Sequence, residues 1–275
     1  MRLRTILPRP EIAPWIHHFW VFESGFGLPE ADARVVVPNG RPKLIVPWRN
    51  SLVARDGDTI QESRTGEIVL IGVWDRPTIL SSPREETVTI GVEFRPYGLS
   101  RFFDADLDEL AGRIVPIDKA MGAVGNRLMA RVNTADSLVE AVGAVQSFLS
   151  ERLVASARQS DGLVDRAIAL MEGHNHSLAV AELAQSLNVS RRHLQNAFRR
   201  QIGLTPKRMQ SVLAFERLYR RFSQDKDAHL LRSEALDIWF DQAHFTRAFQ
   251  QFTGFSPGRF ADLENEFGRI FYKPA

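Results

Sequence analysis

The feature that most constrains the fold is a segment that occurs twice at one constant spacing. HLQNAFRRQIGLTPKRM, which begins at His193, aligns without a gap on HFTRAFQQFTGFSPGRF, which begins at His244. Six aligned pairs are identical: His193/His244, Ala197/Ala248, Phe198/Phe249, Gly203/Gly254, Pro206/Pro257 and Arg208/Arg259. A motif repeated in register indicates two copies of one small supersecondary unit. The C-terminal part of the chain is therefore predicted to contain two such units.

Each copy has the pattern of a helix, a tight turn and a second helix. In the first copy, the apolar spacing predicts one helix that ends near Leu187 and another that begins after Ser190. Ser190 is a typical helix cap because its hydroxyl accepts the free N–H groups of the first turn. Gly203 is typical of the position just beyond a helix C-terminus. The predicted buried stripe of the second helix is Leu194, Ala197, Phe198 and Ile202.

The outer face of that second helix is basic and amide-rich. Arginine neutralises phosphates and matches the guanine edge, whereas Gln and Asn match the adenine edge. Nine basic residues and one acidic residue lie between Ser190 and Arg221, although the net charge of the whole chain is only +2. An ordinary solvated helix is the alternative, but the repeat and the one-sided charge favour a helix-turn-helix surface. The predicted DNA-binding residues are Arg191, Arg192, Gln195, Asn196, Arg199, Arg200, Lys207 and Arg208 in the first copy, and Gln242, Thr246 and Arg247 in the second.

Residues 163–260 resemble the paired helix-turn-helix domain of the AraC/XylS family of bacterial transcription regulators. The motifs LAQSLNVSRRHLQNAFRRQIGLTPKRM and DQAHFTRAFQQFTGFSPGRF carry the resemblance. It implies double-stranded operator DNA as the partner, with RNA polymerase and a second copy of the chain as further candidate partners. The second copy departs from the family at residues 238–241, where Ile-Trp-Phe-Asp replaces a glycine-containing turn.

The first half of the chain predicts short strands separated by turns. The candidate strands are residues 34–37, 43–48, 51–55, 67–74, 78–81 and 87–94. Pro38-Asn39-Gly40 and Asp56-Gly57 are turn signals between them. Before the strands, residues 12–19 have apolar positions at helical spacing. This pattern is typical of a small barrel or a sandwich.

Helices return after Pro96, at residues 99–103, 106–111, 119–132 and 136–153, with Thr134 as the predicted cap of the last. One stripe of that last helix, Leu138, Val142, Val145, Leu149 and Leu153, fits either packing on its own domain or a dimer seam. The following segment, residues 155–161, is small and polar and is predicted to be a linker. The expected fold class is therefore α+β with two domains, residues 1–157 and 160–275.

Three segments of the first domain resemble the cupin-like sensor domain found in one branch of the same family. They are PWIHHFW at residues 14–20, VPNGRPKL at residues 37–44 and IGVEFRPYG at residues 90–98. This resemblance implies a β-barrel with flanking helices that senses a small-molecule effector or mediates dimerisation. Four of the five tryptophans lie in this half, where they form either core or an aromatic effector pocket.

No pattern in the sequence predicts catalysis, a metal or a resident cofactor. Without cysteine there is no thiolate nucleophile or thiolate metal site. A cupin metal site requires His-x-His on barrel strands, whereas the one such pair, His174 and His176, precedes the first repeat. No apolar run approaches the roughly 18 residues of a membrane span, so a cytoplasmic protein is expected. The predicted function is an effector-controlled transcription regulator; the alternatives are a ligand-independent DNA-binding protein with a dimerising barrel and a DNA-tethered cupin enzyme.

Overall fold

A computed structural model describes residues 1–28, 35–57, 59–104, 106–156, 162–174, 178–225 and 242–262. Ten strands lie in the N-terminal part of these ranges: β1 (Arg2–Ile6), β2 (Ile16–Ser24), β3 (Val35–Val36), β4 (Lys43–Arg49), β5 (Leu52–Asp56), β6 (Thr59–Ser63), β7 (Val69–Ile71), β8 (Thr78–Ser81), β9 (Thr87–Phe94) and β10 (Ile114–Pro116). They form a six-stranded sheet in the order β1-β2-β9-β4-β7-β10 and a four-stranded sheet in the order β3-β8-β5-β6. Every recorded strand pair is antiparallel.

The central strands of the six-stranded sheet are buried on both faces; successive side chains of a strand point to opposite sides, and both sides are covered. In β2, Phe19 and Val21 pack with the helices, whereas Trp20 and Phe22 pack toward the four-stranded sheet. The helices on the first face are α1 (Ile117–Met121), α2 (Ala123–Asn133) and α3 (Leu138–Ala155). The space between the two sheets is therefore separate from the main core.

The predicted strands and the α+β class are confirmed, but the helical spacing at residues 12–19 was misleading. Residues 10–15 form turns and Ile16 begins β2; Ile12, Ile16 and Phe19 nevertheless pack in one core, as one face of a helix would. The pattern also missed β1 and β6, whose sequences RLRTI and TIQES are mostly exposed. Strands at the ends of their sheets need little apolar surface, so hydrophobic periodicity does not reveal them.

The helices of the first domain differ from expectation at their ends. Residues 119–132 are divided at Gly122, whose φ of 55° breaks the helix between α1 and α2. The cap of α3 is Ser137, which accepts a hydrogen bond from the Glu140 N–H, rather than Thr134. Val145 and Leu149 are fully buried in the domain's own core. The stripe on α3 therefore packs within its own domain.

The C-terminal part contains α4 (Leu163–Gly173), α5 (Val180–Ser186), α6 (Arg191–Gln201), α7 (Pro206–Asp225), α8 (Gln242–Thr253) and α9 (Pro257–Asp262). Ser190 caps α6 by accepting a hydrogen bond from the His193 N–H at 3.1 Å. Beyond the helix end, Gly203 has a φ of 93°, in the left-handed region that favours glycine. The predicted helix-turn-helix of the first copy is thus present in α5 and α6. The divergent turn at residues 238–241 lies outside the described residues.

The two parts of the chain share hydrophobic clusters. Val35 and Val37 are buried together with Phe215 of α7 and Phe249 of α8. Gly40, in the predicted turn, lies so close to α7 that an added Cβ would meet the Met209 side chain at 2.7 Å. Most of the predicted linker lies outside the described residues. None of the described helices combines the length and hydropathy of a membrane span.

Candidate DNA-binding surface and cavity

The outer face of α6 matches the predicted DNA-binding surface. Leu194 and Phe198 are fully buried against α4 and α5. The residues on the opposite side of α6 are exposed: Arg191, Arg192, Gln195, Asn196, Arg199 and Arg200. Six side chains able to contact phosphates or base edges therefore share one solvent-facing surface.

The C-terminal end of α6 lies beside the first domain. The Arg200 Nε is 4.0 Å from the Asp106 carboxylate. An added Cβ at Gly203 would meet the Leu107 carbonyl oxygen at 2.5 Å. Arg200 thus borders the domain interface as well as the exposed face.

Helix α7 begins after Thr205, whose hydroxyl accepts a hydrogen bond from the Arg208 N–H at 3.3 Å. Lys207 is exposed, as predicted. Arg208 instead contacts the first domain: its Nε and Nη2 donate to the Asp75 carboxylate at 2.7 Å and the Asp75 carbonyl at 2.9 Å. Its Nη1 also donates to Gln251 of α8 at 3.1 Å. These contacts use three of the five guanidinium N–H donors within the protein, and the DNA contact of Arg208 stays a prediction.

The second copy of the motif is described only in its second helix, α8. Phe245, Phe249 and Phe252 are buried, while Arg247 is exposed and Thr246 is partly exposed. The side chain of Gln242 lies outside the described part of the structure. The described outer face of α8 carries less charge than that of α6.

A cavity of about 460 Å³ lies between the two sheets and reaches α7. Its walls are mainly apolar and include Trp20, Ile45, Leu52, Val69, Ile71 and Leu80. Gly91 makes room for one of them, because an added Cβ there would overlap the Trp20 indole ring. Glu216 and Arg220 of α7 complete the wall. The cavity thus has walls from both domains. The sequence leaves the tryptophans open as core or pocket, and two of them, Trp20 and Trp74, line the cavity.

One end of the cavity is charged. On β9, Glu93 pairs directly with Lys43 of β4, and its carboxylate lies 3.4 Å from the Arg41 guanidinium. Burial alone would raise the pKa of Glu93, but the charges of Lys43 and Arg41 lower it to about 2. Arg41 also contacts the Glu216 carboxylate at 3.3 Å. Arg41 therefore connects the charged end of the cavity to α7, the helix between the two repeated segments.

Two histidines complete the polar end. His17 and His18 line the cavity, and each pKa is lowered chiefly by burial, that of His17 to about 4. One ligand atom from each of His17, His18 and Glu93 lies within 4.8 Å of the others. The sequence does not reveal this cluster, because its histidines are adjacent rather than in a His-x-His pair, and adjacent residues of a regular strand point to opposite faces. The PWIHHFW segment at residues 14–20 contains both histidines, but nothing in it indicates Glu93 as their neighbour.

Two family models match the chain. A helix-turn-helix domain matches residues 183–262, and a domain of unknown function, DUF6597, matches residues 4–116. No curated protein matches the sequence significantly.

Among solved structures the similarities are remote. ToxT from Vibrio cholerae has a TM-score of 0.48 and 10% identity, over 89% of this chain and 97% of that one. A ToxT structure titled as unsaturated fatty acid bound has a TM-score of 0.48 and 10% identity, over 88% and 95%. The AraC-like transcriptional activator CuxR has a TM-score of 0.26 and 14% identity, over 75% and 73%.

The helix-turn-helix match has the position that the repeat predicts. It covers both aligned segments, from His193 and from His244, and it follows a domain built on two sheets. In α6, the matched region presents the basic face described above. The chain therefore contains a helix-turn-helix domain at residues 183–262, which follows a sheet-rich N-terminal domain.

Proposed function

We propose that this chain is an AraC-type transcription regulator, that it binds operator DNA through α6 and α8, and that a small effector in the cavity controls the binding. One observation carries the proposal: the cavity wall contains side chains of the sheets and of α7, the helix that joins the two DNA-binding units. An occupant of the cavity therefore contacts both domains at once. We propose further that the protein acts in the cytoplasm by binding alone, without catalysis. Contacts with RNA polymerase and with a second copy stay predictions.

The length of α7 supports a two-site contact with DNA. Its 20 residues correspond to about 30 Å at 1.5 Å per residue. Successive major grooves on one face of DNA are about 34 Å apart. With α6 before this rod and α8 after it, we propose that the two helices enter neighbouring grooves. Inserting half a helical turn of DNA between the two half-sites should then abolish paired protection, and independent shifting of the two protected grooves would contradict this arrangement.

The cavity lining indicates the chemistry of the effector. Most of the lining is apolar, so the body of the effector is expected to be apolar. Trp74 also borders the cavity, and its buried indole N–H has no hydrogen-bond partner in the described part of the chain. An unpaired buried donor costs free energy that a ligand acceptor recovers. We therefore expect an apolar molecule with at least one hydrogen-bond acceptor.

The link between Arg41 and Glu216 supports a route from the cavity to α7. Both side chains are largely buried, with 14% and 9% exposure. An effector that competes for Arg41 would release Glu216, and one that bridges the two would hold α7 in place. Either effect shifts the population of domain arrangements, provided that the effector prefers one of them.

The experiment is a thermal unfolding screen of the full chain with apolar metabolites, followed by operator titration. An effector present at about a hundred times its dissociation constant should stabilise the chain by about 2.7 kcal/mol. It should also change operator affinity in the wild type but much less in Glu216→Gln. Glu151→Gln is the matched control, since Glu151 of α3 pairs with Arg131 of α2 and neither residue lines the cavity. An unchanged effector response in Glu216→Gln would refute the coupling, and a ligand-independent regulator would show no stabilisation at all.

A further inference from the structure

We propose that His17, His18 and Glu93 form a binding site for one divalent transition-metal ion on the cavity wall. The site does not depend on the identity of any effector. Its ligand atoms are two imidazole nitrogens and a carboxylate oxygen, all within 4.8 Å of one another. The Nδ1 atoms of His17 and His18 face each other directly.

The strand register explains how these three side chains meet. His18 of β2 is directly opposite Glu93 of β9, so both point to the cavity side of the sheet. The register shifts between Ile16 and His18, which leaves His17 as an extra residue in β2. Such a bulge redirects one side chain, and bulges are common next to functional sites. Here it brings His17 to the same side as His18.

The ligand set is suited to zinc or to ferrous iron. Two histidines with one carboxylate occur in zinc sites that keep an open position and in non-haem iron sites. Around a tetrahedral ion with bonds of about 2.0–2.2 Å, neighbouring ligand atoms lie about 3.3–3.6 Å apart. To bind one ion in this geometry, the two imidazole nitrogens, which face each other directly, would have to move apart. Because all three residues line the cavity, the open coordination position faces its interior.

The neighbouring cationic side chains affect both how tightly an ion binds at this site and which fourth ligand it favours. Arg41 contacts only Oε1 of Glu93 in the recorded ion pairs, and the Lys43 ammonium donates to Asn39 and to the Arg41 carbonyl. Among the described residues, Oε2 of Glu93 takes part in no recorded ion pair. Two positive charges weaken the binding of a further cation, but they favour an anionic or oxygen ligand at the open position. The expected occupant is thus a metal that takes its fourth ligand from the cavity.

The test is metal titration of the full-length chain after removal of bound metal with a chelator. Zn²⁺ binding is followed by calorimetry, and Co²⁺ is followed by its visible absorption, which reports nitrogen and oxygen ligands directly. We expect one ion per chain. The double variant His17→Ala/His18→Ala and the single variant Glu93→Gln should each lower the metal affinity about 100-fold or more. Even a residue that only hydrogen-bonds to a metal ligand contributes about 10–100-fold.

The control is His174→Ala. His174 follows directly after α4, in the helical C-terminal part of the chain, and belongs to a His-x-His sequence. Unchanged Co²⁺ spectra in this variant support the proposal, whereas loss of the metal there would assign the ion to that pair and overturn it. Glu93 is buried, so circular dichroism checks the folding of Glu93→Gln, and His18→Ala is the replacement if it unfolds. A folded wild-type chain that binds neither Zn²⁺, Co²⁺ nor anaerobic Fe²⁺ in molar excess would also overturn it.

Discussion

The contact between Arg208 and Asp75 provides a test of what α7 does. Arg208 belongs to the repeated motif and was expected on DNA, yet it joins α7 to the loop after β7 and to α8. Asp75→Asn removes the charge and keeps the size, and Arg208→Gln removes the guanidinium. Together with the double variant they form a thermodynamic cycle that isolates the pairwise energy.

The exposure of the pair sets the expected magnitude. The side chains of Arg208 and Asp75 are 24% and 34% exposed. Exposed ion pairs contribute about 0.2–1 kcal/mol, whereas hydrogen bonds to charged groups contribute about 1.5–3 kcal/mol. A half-buried pair with a hydrogen bond of 2.7 Å should lie between them, so we expect a coupling of about 1 kcal/mol in the free energy of unfolding.

Urea unfolding measures the coupling, and operator binding at several salt concentrations tests the alternative. Losing one phosphate contact should lower the salt slope of DNA binding by about 1. We expect this change for Arg192→Ala, whose side chain is exposed on α6, but not for Arg208→Gln. Zero coupling to Asp75 together with a reduced salt slope for Arg208→Gln would refute the domain contact and restore Arg208 to the DNA surface.

Three further outcomes follow from the helix-turn-helix units. Gln195→Ala should relax base preference at defined operator positions by about 1–3 kcal/mol, while Arg247→Ala should weaken all sequences alike; affinities for single-base operator variants distinguish these results. Phe198→Ala should lower the free energy of unfolding by about 3–5 kcal/mol, measured in urea, because Phe198 is fully buried. Ser190→Ala should cost about 1 kcal/mol in the same assay through loss of the α6 cap, and Ser190→Gly much less.

The parts of the fold that depend on local sequence were predictable. Ser190 and Gly203 mark the ends of α6 because capping and left-handed backbone are properties of single residues. The buried stripe of α6 follows from helical periodicity in the same way. In contrast, the start of β2 resembles a helix in sequence because Ile12, Ile16 and Phe19 recur at helical spacing and share one core, although only Ile16 and Phe19 lie in the strand.

The charged end of the cavity was not predictable from the sequence, because the residues that form it are far apart in the chain. Glu93 meets Lys43 and His18 only through the register of β9 with its two neighbours. The bulge that redirects His17 has no local sequence signal. Arg208 belongs to the basic cluster that predicts a DNA-binding surface, but its contact with Asp75, 133 residues away, has no signal in the sequence. Pairing between distant segments has to be seen in three dimensions.

The position of Glu216 has a consequence for cells. The same side chain lines the cavity and belongs to the rod between the two DNA-binding units. If an effector changes operator affinity through this residue, thermodynamic linkage requires the operator to change effector affinity by the same factor. The promoter would then act as a ligand of the sensor. Copies of the protein bound at the promoter would retain or release the effector at a different concentration from free copies, so occupancy at the gene would differ from occupancy in bulk solution.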